Sequence, residues 1–178
     1  MREQLRQATG AIHARLDDMF GEAPVSNDGG YAAFLSAQYC ARKTVGNALD
    51  RQPPEELGAP PAQIDLLLSD LHDLGVKPCS TQSSFRLNSP AEALGAAWVM
   101  AGSALGNRTM LSRRRKAGLH DAERFLSDTR LTTYFSELLG VLHAERDHAE
   151  VDEAIEGALR TFAVFESAFA SEAVGAAA

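Results

Sequence analysis

A histidine, a pair of glycines and one Glu-x-x-His turn are the residues of this chain whose types and spacing could do chemistry. His13 sits in a stretch, about 2–20, where Leu5, Ala8, Ile12, Leu16 and Met19 recur at three- and four-residue steps. That is the pattern of an amphipathic helix. Arg6, Thr9 and His13 lie on the shoulder of its apolar stripe, so His13 is expected to be partly buried and aimed at whatever the helix packs on. Gly102 and Gly106 stand four residues apart in an apolar stretch of helical length that begins near Leu94. Glycine costs a helix interior about 1 kcal/mol relative to alanine, so two on one face need a reason. Either a neighbouring helix approaches closely there, or a flat ligand lies across the bare backbone, with the glycines letting the helix bend over it.

The two features explain one another if the ligand is a haem. A neutral imidazole from a helix against one haem face is a usual axial ligand to the iron, and the opposite face then needs a surface free of bulky groups. The segment Gly102-Ser-Ala-Leu-Gly106 is such a surface. Arg6, two turns before His13 and about 10 Å away along the axis, suits a propionate. The run Arg113-Arg114-Arg115-Lys116 could serve propionates, dock an acidic redox partner, or stand solvated at a helix end where the dipole favours it. Glu145 and His148, with His143 and Asp147 alongside, have the spacing of half a di-iron site. That arrangement needs two such motifs and further carboxylates, and only one is present, so a solvated turn is the simpler reading. No G-x-S-x-G, Walker A or dinucleotide fingerprint supports a hydrolase, nucleotide-binding or NAD-dependent reading.

Stepping along the chain, the elements needed to position these groups are all helical. After the first helix, Gly21 to Gly30 reads as a loop, with Asn27 or Asp28 available to cap a helix over about 31–51. Pro53-Pro54 and Pro60-Pro61 make a stiff connection to a helix over about 61–74, which Gly75 stops. A polar loop over 76–89 follows. Ser89-Pro90-Ala91-Glu92 then starts the glycine-bearing helix, which runs to about Lys116 and bends near Gly102 to Gly106. A short helix near Asp121 to Ser127, one over about 130–145 and a last one over about 147–170 complete the set. No strand alternation occurs, so the fold class is all-α, a single compact multi-helix bundle spanning 1–178, with 171–178 expected as a flexible tail.

The net charge of −7 argues against nucleic acid, whose backbone is bound by concentrated positive charge. No signal-peptide pattern opens the chain, and the longest apolar run, about 93–105, is too short to span a bilayer. Cys40 and Cys79 lack both metal-site spacing and the density of a disulfide framework, which reads as a reduced, cytoplasmic protein.

Leu5-Arg6-Gln7-Ala8-Thr9-Gly10-Ala11-Ile12-His13 resembles the first-helix signature of haem oxygenases, and Gly102-Ser103-Ala104-Leu105-Gly106 is similar to their glycine-bearing distal helix, especially in the bacterial branch. Phe162, Phe165 and Phe169 are similar to the family's closing helix, so the resemblance covers nearly the whole chain. It implies the haem oxygenase fold, with His13 as proximal iron ligand. Arg6 and Thr9 fall in the haem-binding helix, and Gly102, Ser103, Gly106 and Asn107 in the distal wall. It also implies opening of haem to biliverdin, iron and CO, with haem as both substrate and cofactor, O2 as oxidant, and electrons from an external ferredoxin or reductase. Asn107 stands where a further glycine often follows, and Ser103 where some members carry an acid, so the distal wall offers little acid–base equipment. The alternatives are a haem carrier or sensor of the same fold without turnover, and a non-haem oxidase using Glu145 and His148.

Overall fold

The computed structural model describes residues 1–79 and 84–175, without the side chains of Phe20, Ala23 and residues 173–175. Among these residues there are helices, turns and bends, and no strand. The helices are α1 (Arg2–Phe20), α2 (Ala23–Ser26), α3 (Asp28–Arg51), α4 (Ile64–Asp73), α5 (Pro90–Gly102), α6 (Ala104–Lys116), α7 (Arg124–Ser127), α8 (Arg130–Leu142) and α9 (His148–Gly175). None is long and apolar enough to cross a membrane.

Local chemistry sets several boundaries. Asn27 caps α3, its Oδ1 accepting the Gly30 amide at 2.7 Å. Ser89 caps α5 by accepting the Glu92 amide at 3.1 Å, and Pro90 occupies the first turn. Glu92 does not reach back to its own cap; its carboxylate takes the Asn88 amide at 2.9 Å and Arg160 Nη1 of α9 at 2.8 Å, tying the two helices together. Asp147 and Glu150 form a reciprocal pair at the start of α9, each carboxylate accepting the other's backbone N–H. Gly75 and Gly118, with φ of 71° and 81°, end α4 and α6 in the left-handed region that glycine enters freely. The last helix runs to Gly175 rather than ending at Ala170, since nothing in 171–175 breaks it; 176–178 lie outside the described residues.

The core lies where α3, α5 and α9 meet, with α1 packed on α9 and α4 on α3. At the crossing of α5 and α9 the backbones touch. A Cβ on Gly95 would stand 1.8 Å from the Ala154 carbonyl oxygen, and one on Gly157 would stand 2.2 Å from that of Glu92. Close helix contact through small residues therefore occurs in this chain, but at Gly95 and Gly157 and not at the Gly102–Gly106 pair.

Two further departures concern charge and sulfur. The basic run does not act as one solvated cluster. Arg114 is fully buried, stacks 3.7 Å from the Tyr31 ring, and donates to Pro24 O at 2.9 Å and Asp28 Oδ1 at 2.8 Å. Its neighbours turn outward, Arg113 to Glu22 and Arg115 to Glu123. Asp28 is half exposed, so the cost of truncating Arg114 lies in the buried side chain's lost packing, its stacking on Tyr31 and its bond to Pro24 O; large-to-small changes at buried sites cost about 2–5 kcal/mol. Arg114→Ala should therefore lower the unfolding free energy by about 3 kcal/mol in chemical denaturation, whereas Lys116→Ala should leave it unchanged. Cys40 and Cys79, expected as thiols of a reduced protein, are instead bonded to each other, with their Cα atoms 6.3 Å apart. The bond ties the middle of α3 to the segment after α4.

Candidate functional site

The helix that was expected to bend at the glycines is interrupted there. Ser103 separates α5 from α6 with φ −61° and ψ −23°, close to helical values, so the chain keeps its direction. The Gly106 amide donates to Ser103 O at 3.2 Å, a three-residue step in place of the four-residue ladder. Ser103 Oγ donates to Met100 O at 2.9 Å, an additional local bond of the kind that bends helices.

Facing this junction across a cavity of about 910 Å³ is α1. The volume lies within the range of small-molecule and cofactor sites. The residues that the resemblance placed at the haem site all line it: Arg6, Thr9 and His13 from α1, Gly102 and Ser103 at the end of α5, and Gly106 and Asn107 from α6. The rest of the lining is largely apolar and aromatic, with Phe34 of α3, Trp98 of α5, Phe135 of α8, and Phe162, Phe165 and Phe169 of α9. The glycine pair fits the ligand reading better than the helix-contact reading. A Cβ on Gly106 would meet nothing within 4 Å, and one on Gly102 only the Phe135 ring edge at 3.8 Å. The bare backbone there borders open space.

The placement of each group departs in detail from expectation. His13 is less buried than expected; its side chain is 59% exposed, with an edge contact to Phe162 at 6.2 Å between centroids. Its Nδ1 lies 3.1 Å from Asp17 Oδ2. A carboxylate on one ring nitrogen orients an imidazole and leaves the other nitrogen for a metal, the usual support of a ligating histidine. Thr9 is buried but donates its hydroxyl back to Leu5 O at 2.7 Å, so it shapes the wall and has no proton to offer a ligand. Arg6 stands at the rim, paired with Glu3 at 2.7 Å, which holds that carboxyl below its usual range. Arg113 also lines the cavity, paired with Glu22. Arg2 lines it with no hydrogen bond or ion pair among the described residues. Asn107 is buried and its Nδ2 has no hydrogen-bond partner among the described residues.

Sequence reasoning missed the α3 contribution. Gln38 lines the cavity, and behind it Arg42, only 2% exposed, donates to Gln38 Oε1 at 2.8 Å and to Ser103 Oγ at 2.5 Å. The signal was a polar pair one turn apart on the helix face that also carries Phe34, Leu35, Tyr39, Val45 and Leu49. By contrast, His143, Glu145, Asp147 and His148 are all exposed at the turn before α9, and no group of three or more His, Cys, Asp or Glu suited to a metal occurs among the described residues.

No protein-family model matches the chain, and no curated protein does. Among solved structures, it is similar to the heme oxygenase from Neisseria meningitidis, known in NO- and CO-bound forms. The TM-score is 0.68 at 23% sequence identity, over 96% of this chain and 90% of that one. At that identity the likeness establishes a shared fold.

Proposed function

Starting from a chain that has the haem oxygenase fold, we propose that it binds haem between α1 and the α5–α6 junction and opens it to biliverdin, iron and CO. The observation that carries this reading is that His13 of α1 and Gly102 and Gly106 of the α5–α6 segment line one cavity.

The residues present fit such a group. A flat macrocycle needs a bare wall, and the glycine pair leaves open space where side chains would otherwise stand. Its apolar faces suit Phe34, Trp98, Phe135 and Phe162. Its propionates suit the arginines that line the cavity, Arg2 without a partner and Arg6 and Arg113 able to exchange exposed carboxylates for it. When bound, haem supplies the iron that activates O2 and is itself the substrate. The chain's part is to orient and enclose it. His13 would hold the iron from α1, steadied by Asp17. The α5–α6 backbone sets how closely the opposite face is covered, and Ser103, Asn107 and Gln38 are the polar groups within that cover. Electrons come from an external ferredoxin or reductase.

The test is turnover. The ferric haem complex, given a reductase or reduced ferredoxin and then O2, should lose its Soret band, release CO and form a bilin absorbing in the red. A complex that binds haem tightly and keeps it intact under the same supply of electrons would contradict catalysis and leave a haem carrier.

A further inference from the structure

Arg42 is held in place at a desolvation cost. Its guanidinium is buried in the middle of α3, and no carboxylate hydrogen-bonds to it; Asp128 acts on it only at a distance. One nitrogen, Nη1, is buried with no hydrogen-bond partner among the described residues. The Phe125 ring lies 5.1 Å from its centre, a weak substitute for water. Burial pushes its pKa down to about 9, the mark of a charge held against its solvation. A cation kept at such cost, and directed at two residues that line the cavity, calls for a functional explanation.

The chemistry of its neighbours supplies one. Arginine is a donor only. By taking Gln38 Oε1 it fixes which way that amide stands, leaving Gln38 Nε2, which has no partner among the described residues, as the donor of a residue that lines the cavity. By donating to Ser103 Oγ, whose own proton goes to Met100 O, it fixes that hydroxyl as well. We propose that Arg42 is a positioning residue: through Gln38 and Ser103 it sets the hydrogen-bond polarity of the cavity wall opposite His13 and imposes positive potential there, so that the site favours an anionic ligand over a neutral one.

This inference rests on the haem reading, and the experiment separates the two. In the haem complex of the native protein, azide and fluoride binding to the ferric form and CO binding to the ferrous form are titrated beside Arg42→Met and Arg42→Lys. Arg42→Met should weaken azide and fluoride about tenfold or more while CO affinity stays within about threefold, since CO carries no charge. Arg42→Lys, which keeps the charge and loses the fork, should fall between. The ligand-free Arg42→Met protein should melt no lower than native, because replacing a buried charge by an apolar chain of similar length removes a desolvation cost. Unchanged anion affinity, equal losses for azide and CO, or a lower melting temperature would each make Arg42 a packing residue and overturn the proposal. If the native protein binds no haem, the functional reading itself fails; the melting comparison still reports on Arg42.

Discussion

Gly95→Ala should unfold the bundle. A methyl group there would sit 1.8 Å from Ala154 O and 2.8 Å from the Ala158 nitrogen, both backbone atoms of α9 that no rotamer change can move. Relief requires the two helices to separate along the crossing that organises the core, which loosens Ala96, Ala97, Ala154 and Ala158 together. Close-packed interiors do not absorb such a shift locally. The expected loss exceeds about 4 kcal/mol, a large share of the roughly 5–15 kcal/mol that holds a domain folded. The sign is what makes the prediction specific, because alanine is intrinsically the better helix former by about 1 kcal/mol. Gly46→Ala, in the middle of α3 with nothing within 4 Å of the added methyl, should stabilise the protein by about 0.5–1 kcal/mol. Urea unfolding of the two variants side by side checks both; equal effects would mean that the crossing is not a backbone contact.

His13→Ala should have the opposite profile, large for the ligand and small for the fold. The side chain is 59% exposed, and its polar contact, to Asp17, is on the surface. Such contacts contribute little to stability, so the variant should unfold within about 0.5 kcal/mol of native. A bound haem, on the proposed reading, would by contrast lose its ligand from α1. The Soret band of the variant's ferric complex should shift as axial ligation is lost, and added imidazole should restore it by occupying the vacated space. Turnover should fall to background without imidazole. A variant with native spectrum and activity would move the proximal ligand elsewhere.

What could be read from the sequence, and what could not, divides by range. Helix starts and stops depend on residues within one turn, and Ser89, Asn27, Gly75 and Gly118 act where their types indicate. The break between α5 and α6 at Ser103 and the bare glycine face also depend on neighbouring residues, which is why that stretch stood out. The Gly95–Gly157 contact was not, because it depends on which helices cross, and nothing near Gly95 says that Gly157 will meet it. Arg114 and Arg42 illustrate the same limit for charge. Arg114 looks like one of four solvated cations until Tyr31, Pro24 and Asp28 close around it. Arg42 becomes significant only once α5 and α6 bring Ser103 to it. The Cys40–Cys79 pair, 39 residues apart, likewise has no local signature.

The central claim is that the space between His13 and the Gly102–Gly106 backbone is a haem site. Titration of the purified protein with haem, followed in the Soret region, tests it most directly. The account predicts a saturable complex of one haem per chain, with a sharp Soret band that Gly106→Phe, a change placed on the cavity wall, abolishes without unfolding the protein. Absorbance that rises without saturation, or a complex indifferent to Gly106→Phe and His13→Ala alike, would contradict it.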